Sequence, residues 1–137
     1  MLSPEKENAI VDRVETDLLT PFGLRTLSKD HFLYKGQYHG DALTRDTAYH
    51  NGTVWPWLLG AFVKAYLKTH NYSSGSTEYM KSLLEGFDEH LETAGIGTIS
   101  EVFDGDYPHA PGGTIAQAWS VAEILRAYVE DILGIRP

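Results

Sequence analysis

One glutamate in this sequence stands apart from the others. Nine of the ten glutamates fall in segments of helical periodicity, where an exposed Glu is simply a good helix former. The tenth, Glu101, lies in the run Thr98-Ile99-Ser100-Glu101-Val102-Phe103, whose β-prone apolar residues would partly shield a carboxylate from water. Asp30, Asp41, Asp46, Asp104 and Asp106 all fall in two long loops, 21–54 and 94–112, although Asp is common in turns for local hydrogen-bonding reasons. Tyr34, Tyr38, Tyr49, Trp55, Trp57 and Tyr107 lie in or beside the same stretches. Carboxylates among aromatic rings, with few cations, suit a sugar. Cleaving a glycosidic bond takes one carboxylic acid to protonate the leaving oxygen and one carboxylate on the other face, acting as nucleophile or through a water. Trp and Tyr offer the broad apolar faces on which pyranose rings stack. The same rings could equally serve only to pin down long loops.

Other chemistries find less support. None of His31, His39, His50, His70, His90 and His109 forms an H-x-x-x-H or H-x-H pair, so no metal site is expected. Gly95-Ile96-Gly97 lacks the third glycine of a dinucleotide loop and follows a helical pattern instead of a strand, so no cofactor is expected either. No G-x-S-x-G elbow occurs to support a nucleophilic serine. Asn51-Gly52-Thr53 and Asn71-Tyr72-Ser73 fit the glycosylation sequon, but without a secretion signal they read as chance matches.

Four helical patterns must position these residues. Ser3-Pro4 reads as an N-cap with proline at the first helical position, and Ile10, Val14 and Leu18 recur every four residues, predicting a helix over about 4–19. A second pattern starts at Trp55-Pro56 and carries Leu58, Leu59, Phe62, Val63, Tyr66 and Leu67. Ser76 is the expected cap of a third, with Tyr79, Met80, Leu83, Leu84, Phe87 and Leu91 on its buried side and Gly95 just past its end. Thr114 and Gln117 form a Thr-x-x-Gln capping box for a fourth, with Ala118, Val121, Ala122, Leu125, Val129 and Ile132 at helical spacing until Gly134. The predicted fold class is mainly α. Residues 21–54 and 94–112 are long glycine-rich connections of the kind compact domains keep for binding or catalysis. If successive helices run antiparallel, both connections leave the same end of the bundle and share one rim.

Composition narrows the partners. Nineteen Asp and Glu against eleven Lys and Arg give a formal charge of −8. With no basic cluster, neither nucleic acid nor an anionic membrane is an expected partner, since both are bound by neutralising phosphate. The chain has no Cys, which excludes disulfides and thiolate metal sites. The opening MLSPEKENAI lacks the positive end and apolar run of a signal peptide, and no 18-residue apolar stretch follows, so a soluble, cytoplasmic protein is expected. The length suits one domain over 1–137.

Three stretches carry a family resemblance. Thr20-Pro21-Phe22-Gly23-Leu24-Arg25-Thr26-Leu27, Tyr49-His50-Asn51-Gly52-Thr53-Val54-Trp55-Pro56-Trp57 and Gly97-Thr98-Ile99-Ser100-Glu101-Val102-Phe103-Asp104-Gly105-Asp106 resemble the C-terminal part of glycogen debranching enzymes, the amylo-α-1,6-glucosidase domain. The likeness extends to Ile115-Ala116-Gln117-Ala118-Trp119-Ser120 and so spans nearly the whole chain. The middle motif is also similar to the wider group of glycosidases built as (α/α)6 toroids. The resemblance implies a partial toroid of about four long helices, the C-terminal third of the domain, with both long loops on one rim. It further implies inverting hydrolysis of the α-1,6-linked glucose stub of glycogen, with an α-glucan as partner. Glu101 matches the position of the family's general base, which deprotonates the attacking water at a carboxyl separation of about 6.5–9.5 Å. His50, Trp55 and Trp57 would shape the glucose subsite, with packing in the core as the other reading of Trp57. Tyr107 would add a stacking surface, and Asp104 and Asp106 could bind sugar hydroxyls or hold the turn at Gly105. The family's general acid lies upstream of the matched segments, so its role passes to none of Asp30, Asp41 or Asp46. The chain is therefore expected to need the remainder of the catalytic domain, or to be a noncatalytic carbohydrate-binding remnant. Helices that lack their toroid neighbours expose apolar faces, so a homo-oligomer is also expected.

Overall fold

The structure, a computed structural model, describes residues 2–136. Helix α1 runs Pro4–Leu18 with Pro4 in its first turn, although the Ser3 hydroxyl caps no backbone N–H. Its buried contact is Val11, with Val14 and Leu18 partly covered and Ile10 left exposed. Helix α2 covers Ala42–Tyr49, capped by the Asp41 side chain, which accepts from the Thr44 N–H at 2.9 Å. The apolar helix α3, Leu58–Thr69, buries Leu59, Phe62, Val63 and Leu67.

The third predicted helix is divided in two. Helix α4 spans Ser74–Glu85 and is capped by Ser73, whose hydroxyl accepts from the Ser76 N–H, so Ser76 lies inside the first turn instead of before it. Gly86, a poor helix former, ends it, and helix α5 follows over Asp88–Thr93. Tyr79, expected to be buried, is exposed. Helix α6, Ala118–Arg126, is capped by Gln117 on the N–H of Ala118 and passes into a π-helical turn over Ala127–Ile132. The wider turn suits an Arg126–Asp131 ion pair of 3.1 Å, five positions apart.

A sheet corrects the expected fold class. The strands β1 (Leu19–Thr20), β2 (Gly23–Arg25), β3 (Val54–Trp55), β4 (Val102–Phe103) and β5 (Pro111–Gly112) form a five-stranded antiparallel sheet in chain order. The chain is not a mainly α fold, and the partial (α/α)6 toroid of four long helices is overturned. The physical reason lies in length. Strands of two or three residues complete no hydrophobic alternation that a sequence pattern could reveal, and their pairing is decided by distant partners such as Val54 and Phe103.

One apolar cluster supports this arrangement. Val11 of α1, Leu59, Phe62, Val63 and Leu67 of α3, Met80 and Leu84 of α4, Phe87, and Ile124 of α6 meet Leu24, Val54 and Phe103 of the sheet. Phe22 stacks on Phe103 with ring centroids 4.6 Å apart and meets Phe87 edge-on at 5.7 Å, joining sheet to helices. Burying such rings is among the larger stabilising contributions a side chain makes. No described helix is long and apolar enough to cross a membrane.

Candidate functional site

The pairing of β3 with β4 brings the two long connections side by side, and further bonds lock them together. The Arg25 guanidinium donates to the carbonyl of Gly105 at 2.9 Å, and the Asp106 N–H donates to the carbonyl of Gly36 at 3.0 Å. Gly105 is required by close approach: a Cβ there would lie 2.3 Å from the carbonyl oxygen of Gly52.

Glu101 sits directly before β4 and is partly buried. One carboxylate oxygen, Oε1, accepts a hydrogen bond from the Tyr49 hydroxyl. The other, Oε2, accepts from the Thr114 N–H at 2.9 Å and the Thr114 hydroxyl at 3.3 Å. In all three of these hydrogen bonds the carboxylate is the acceptor. Burial first, and then the Glu101 carboxylate, raise the Tyr49 hydroxyl above the ordinary tyrosine pKa, so it stays a donor at neutral pH.

Tyr49 connects Glu101 to the Trp-Pro-Trp segment. Its ring meets Trp55 edge-on at 4.6 Å, and its carbonyl accepts from the Trp55 indole N–H at 3.1 Å. Trp55 is buried and lies parallel to the His50 ring at 6.1 Å. Trp119 of α6 stands 6.1 Å from Trp55 and 6.2 Å from Trp57. With Thr26 and Leu58, these four rings line a cleft of about 310 Å³. Trp57 is 38% exposed and Trp119 50%, so both offer ring surface to solvent, and Trp57 is not a core residue. A larger cavity of about 410 Å³ lies between α4, α5 and α6, but it shares no lining residue with this cleft and includes none of the residues singled out by sequence as site residues. The aromatic cleft, which is linked to a fixed carboxylate, is the better candidate.

The loop aspartates are occupied differently. The Asp104 carboxylate is almost fully buried; it accepts from the Tyr38 N–H at 2.7 Å and pairs with His39 at 2.8 Å. Asp106 accepts from the Tyr34 hydroxyl at 3.0 Å and pairs with Lys29 at 3.2 Å. Burial, followed by this bond to Asp106, pushes the Tyr34 hydroxyl up to about 12. Both aspartates thus tie the 94–112 connection to the 26–40 stretch; both Asp104 oxygens have protein partners, whereas the two Asp106 contacts share Oδ1. Tyr107 is 88% exposed at the tip of that connection and joins none of the ring contacts described here.

Of the residues singled out by sequence, the structure gathers His50, Trp55 and Trp57 around one cleft, joins Glu101, which is not part of its lining, to Trp55 only through Tyr49, sets Asp104 and Asp106 in the loop lock, and leaves Tyr107 apart. Three contributors were not foreseen as site residues. Tyr49 drew notice only as a ring, yet its hydroxyl reaches Glu101. Thr114 read as half of a capping box, but its amide and hydroxyl go to Glu101, and Gln117 caps alone. Trp119 read as a helical residue within the matched stretch. No local pattern marks these roles, since each depends on a partner from another element.

Comparison with known families places the chain: residues 1–126 match the family described as Amylo-alpha-1,6-glucosidase.

Proposed function

The chain belongs to the amylo-alpha-1,6-glucosidase family, and from that premise we propose that it contributes the general base and part of the sugar subsite to inverting hydrolysis of α-1,6 glucosidic branch stubs on an α-glucan, in the cytoplasm. The observation that carries this reading is the anchoring of Glu101 beside the Trp55 cleft through Tyr49. Glu101 takes a proton from a water as that water's oxygen bonds to the anomeric carbon. The bond from that carbon to the glucan oxygen breaks, and an acid supplied from outside the matched segments protonates the leaving oxygen. Trp57, Trp119 and His50 present ring faces to the glucose unit, while Asp104 and Asp106 act through the loops they hold.

The test is Glu101→Gln in the full-length native protein, assayed on an isomaltose-type α-1,6 glucoside. Turnover should fall by at least about a hundredfold with little change in KM, the pattern of a group that acts in the transition state. Undiminished turnover would reject the assignment of Glu101.

A second reading, a noncatalytic glucan-binding module that self-associates, is favoured by the exposed apolar residues Trp119, Leu125, Leu133 and Ile135 at the end of the chain. It shares the binding step and differs in the chemistry. Maltooligosaccharides would quench tryptophan fluorescence while Glu101→Gln left every measured activity unchanged, and light scattering would give a mass above the 15.3 kDa of one chain.

A further inference from the structure

A glutamate side chain has several freely rotating bonds, and a base that must meet a water in one geometry loses rate when its carboxylate wanders. Thr114 restrains only Oε2. The second restraint comes from a segment 52 positions away in the chain, the Tyr49 hydroxyl on Oε1. Tyr49 is itself well held. Its ring lies 5.5 Å from Tyr38, 5.0 Å from His50 and 4.6 Å from Trp55, and the Trp55 indole fastens its carbonyl. This hydroxyl therefore has a defined place from which to hold another group, unlike a tyrosine on a mobile loop.

We propose that Tyr49 is the positioning residue of Glu101: its hydroxyl and the Thr114 amide grip the two carboxylate oxygens from separate segments and keep the carboxylate in one orientation beside the aromatic cleft. The proposal rests on the reading of Glu101 as general base. Tyr49 moves no proton in the reaction; it acts through Glu101.

The experiment compares Tyr49→Phe, Glu101→Gln and the double variant in the full-length native protein on an isomaltose-type α-1,6 glucoside. Tyr49→Phe keeps the ring and its packing. It should lower kcat by about tenfold to a hundredfold with KM nearly unchanged, and it should have no further effect when Glu101 is already Gln. Loss of turnover in Glu101→Gln with full turnover in Tyr49→Phe overturns the positioning role and leaves the base assignment standing. Full turnover in Glu101→Gln, or none in the wild type, removes the base assignment and this proposal with it. Should Tyr49→Phe not fold, proton magnetic resonance of the wild type and Glu101→Ala carries the test. The Tyr49 hydroxyl proton should exchange slowly with water in the wild type and rapidly in Glu101→Ala, and rapid exchange in both overturns the proposal.

Discussion

Gly113 lies against the side chain of Glu101 so closely that a Cβ at this glycine would stand 2.5 Å from Oε2 and 2.9 Å from the Glu101 Cβ. Its φ of +69° is also one that L side chains rarely adopt. The backbone here has no side chain because the carboxylate occupies its place. The next residue, Thr114, delivers the N–H that holds Oε2.

Gly113→Ala should therefore act on both fold and site. Holding alanine in the left-handed region costs about 1–2 kcal/mol, and the methyl group would displace the carboxylate from Thr114. Urea denaturation should show a lowered midpoint. Saccharide-dependent quenching of tryptophan fluorescence should survive, because the cleft lining does not include Gly113, while turnover in the full-length protein falls. A variant as stable and as active as the wild type would contradict the contact.

Asp104→Ala should separate the loops. The buried carboxylate serves the Tyr38 N–H and His39, and removing it leaves the amide without its partner. Losing one side of such a buried hydrogen bond costs about 1–3 kcal/mol. Denaturation should show a loss of that size, and limited proteolysis should cut the chain near residues 26–40 faster than in the wild type. Unchanged stability would mean that this carboxylate does not lock the loops.

His90 predicts a pH dependence of stability. Burial lowers its pKa, and its Nε2 accepts the N–H of Ser100 at 3.2 Å, so the folded protein holds the ring neutral. In the unfolded chain the ring titrates near about 6.5. Below that value the unfolded state binds more protons than the folded one, so this contribution is intact above about pH 6.5 and is lost as pH falls through the depressed folded value. His90→Gln, which retains an acceptor, should narrow the drop in thermal midpoint between about pH 7.5 and 5.5. Identical pH profiles for the two proteins would remove His90 as its source.

What the sequence alone determined is what repeats along it. The spacing of Leu59, Phe62, Val63 and Leu67 marked α3 because a helix returns the same face every three to four residues. Glu101 could be singled out because it was the one glutamate outside helical patterning, and the Trp-Pro-Trp segment because it carries part of the family resemblance. Only the tertiary structure decided that Val54 faces Phe103, that Gly86 divides one predicted helix into two, and that Tyr49 and Thr114 share the oxygens of Glu101. A strand of two residues has no period, and a hydroxyl on one segment carries no local mark of a carboxylate on another. Such features are properties of pairs, and folding alone brings the members of each pair together.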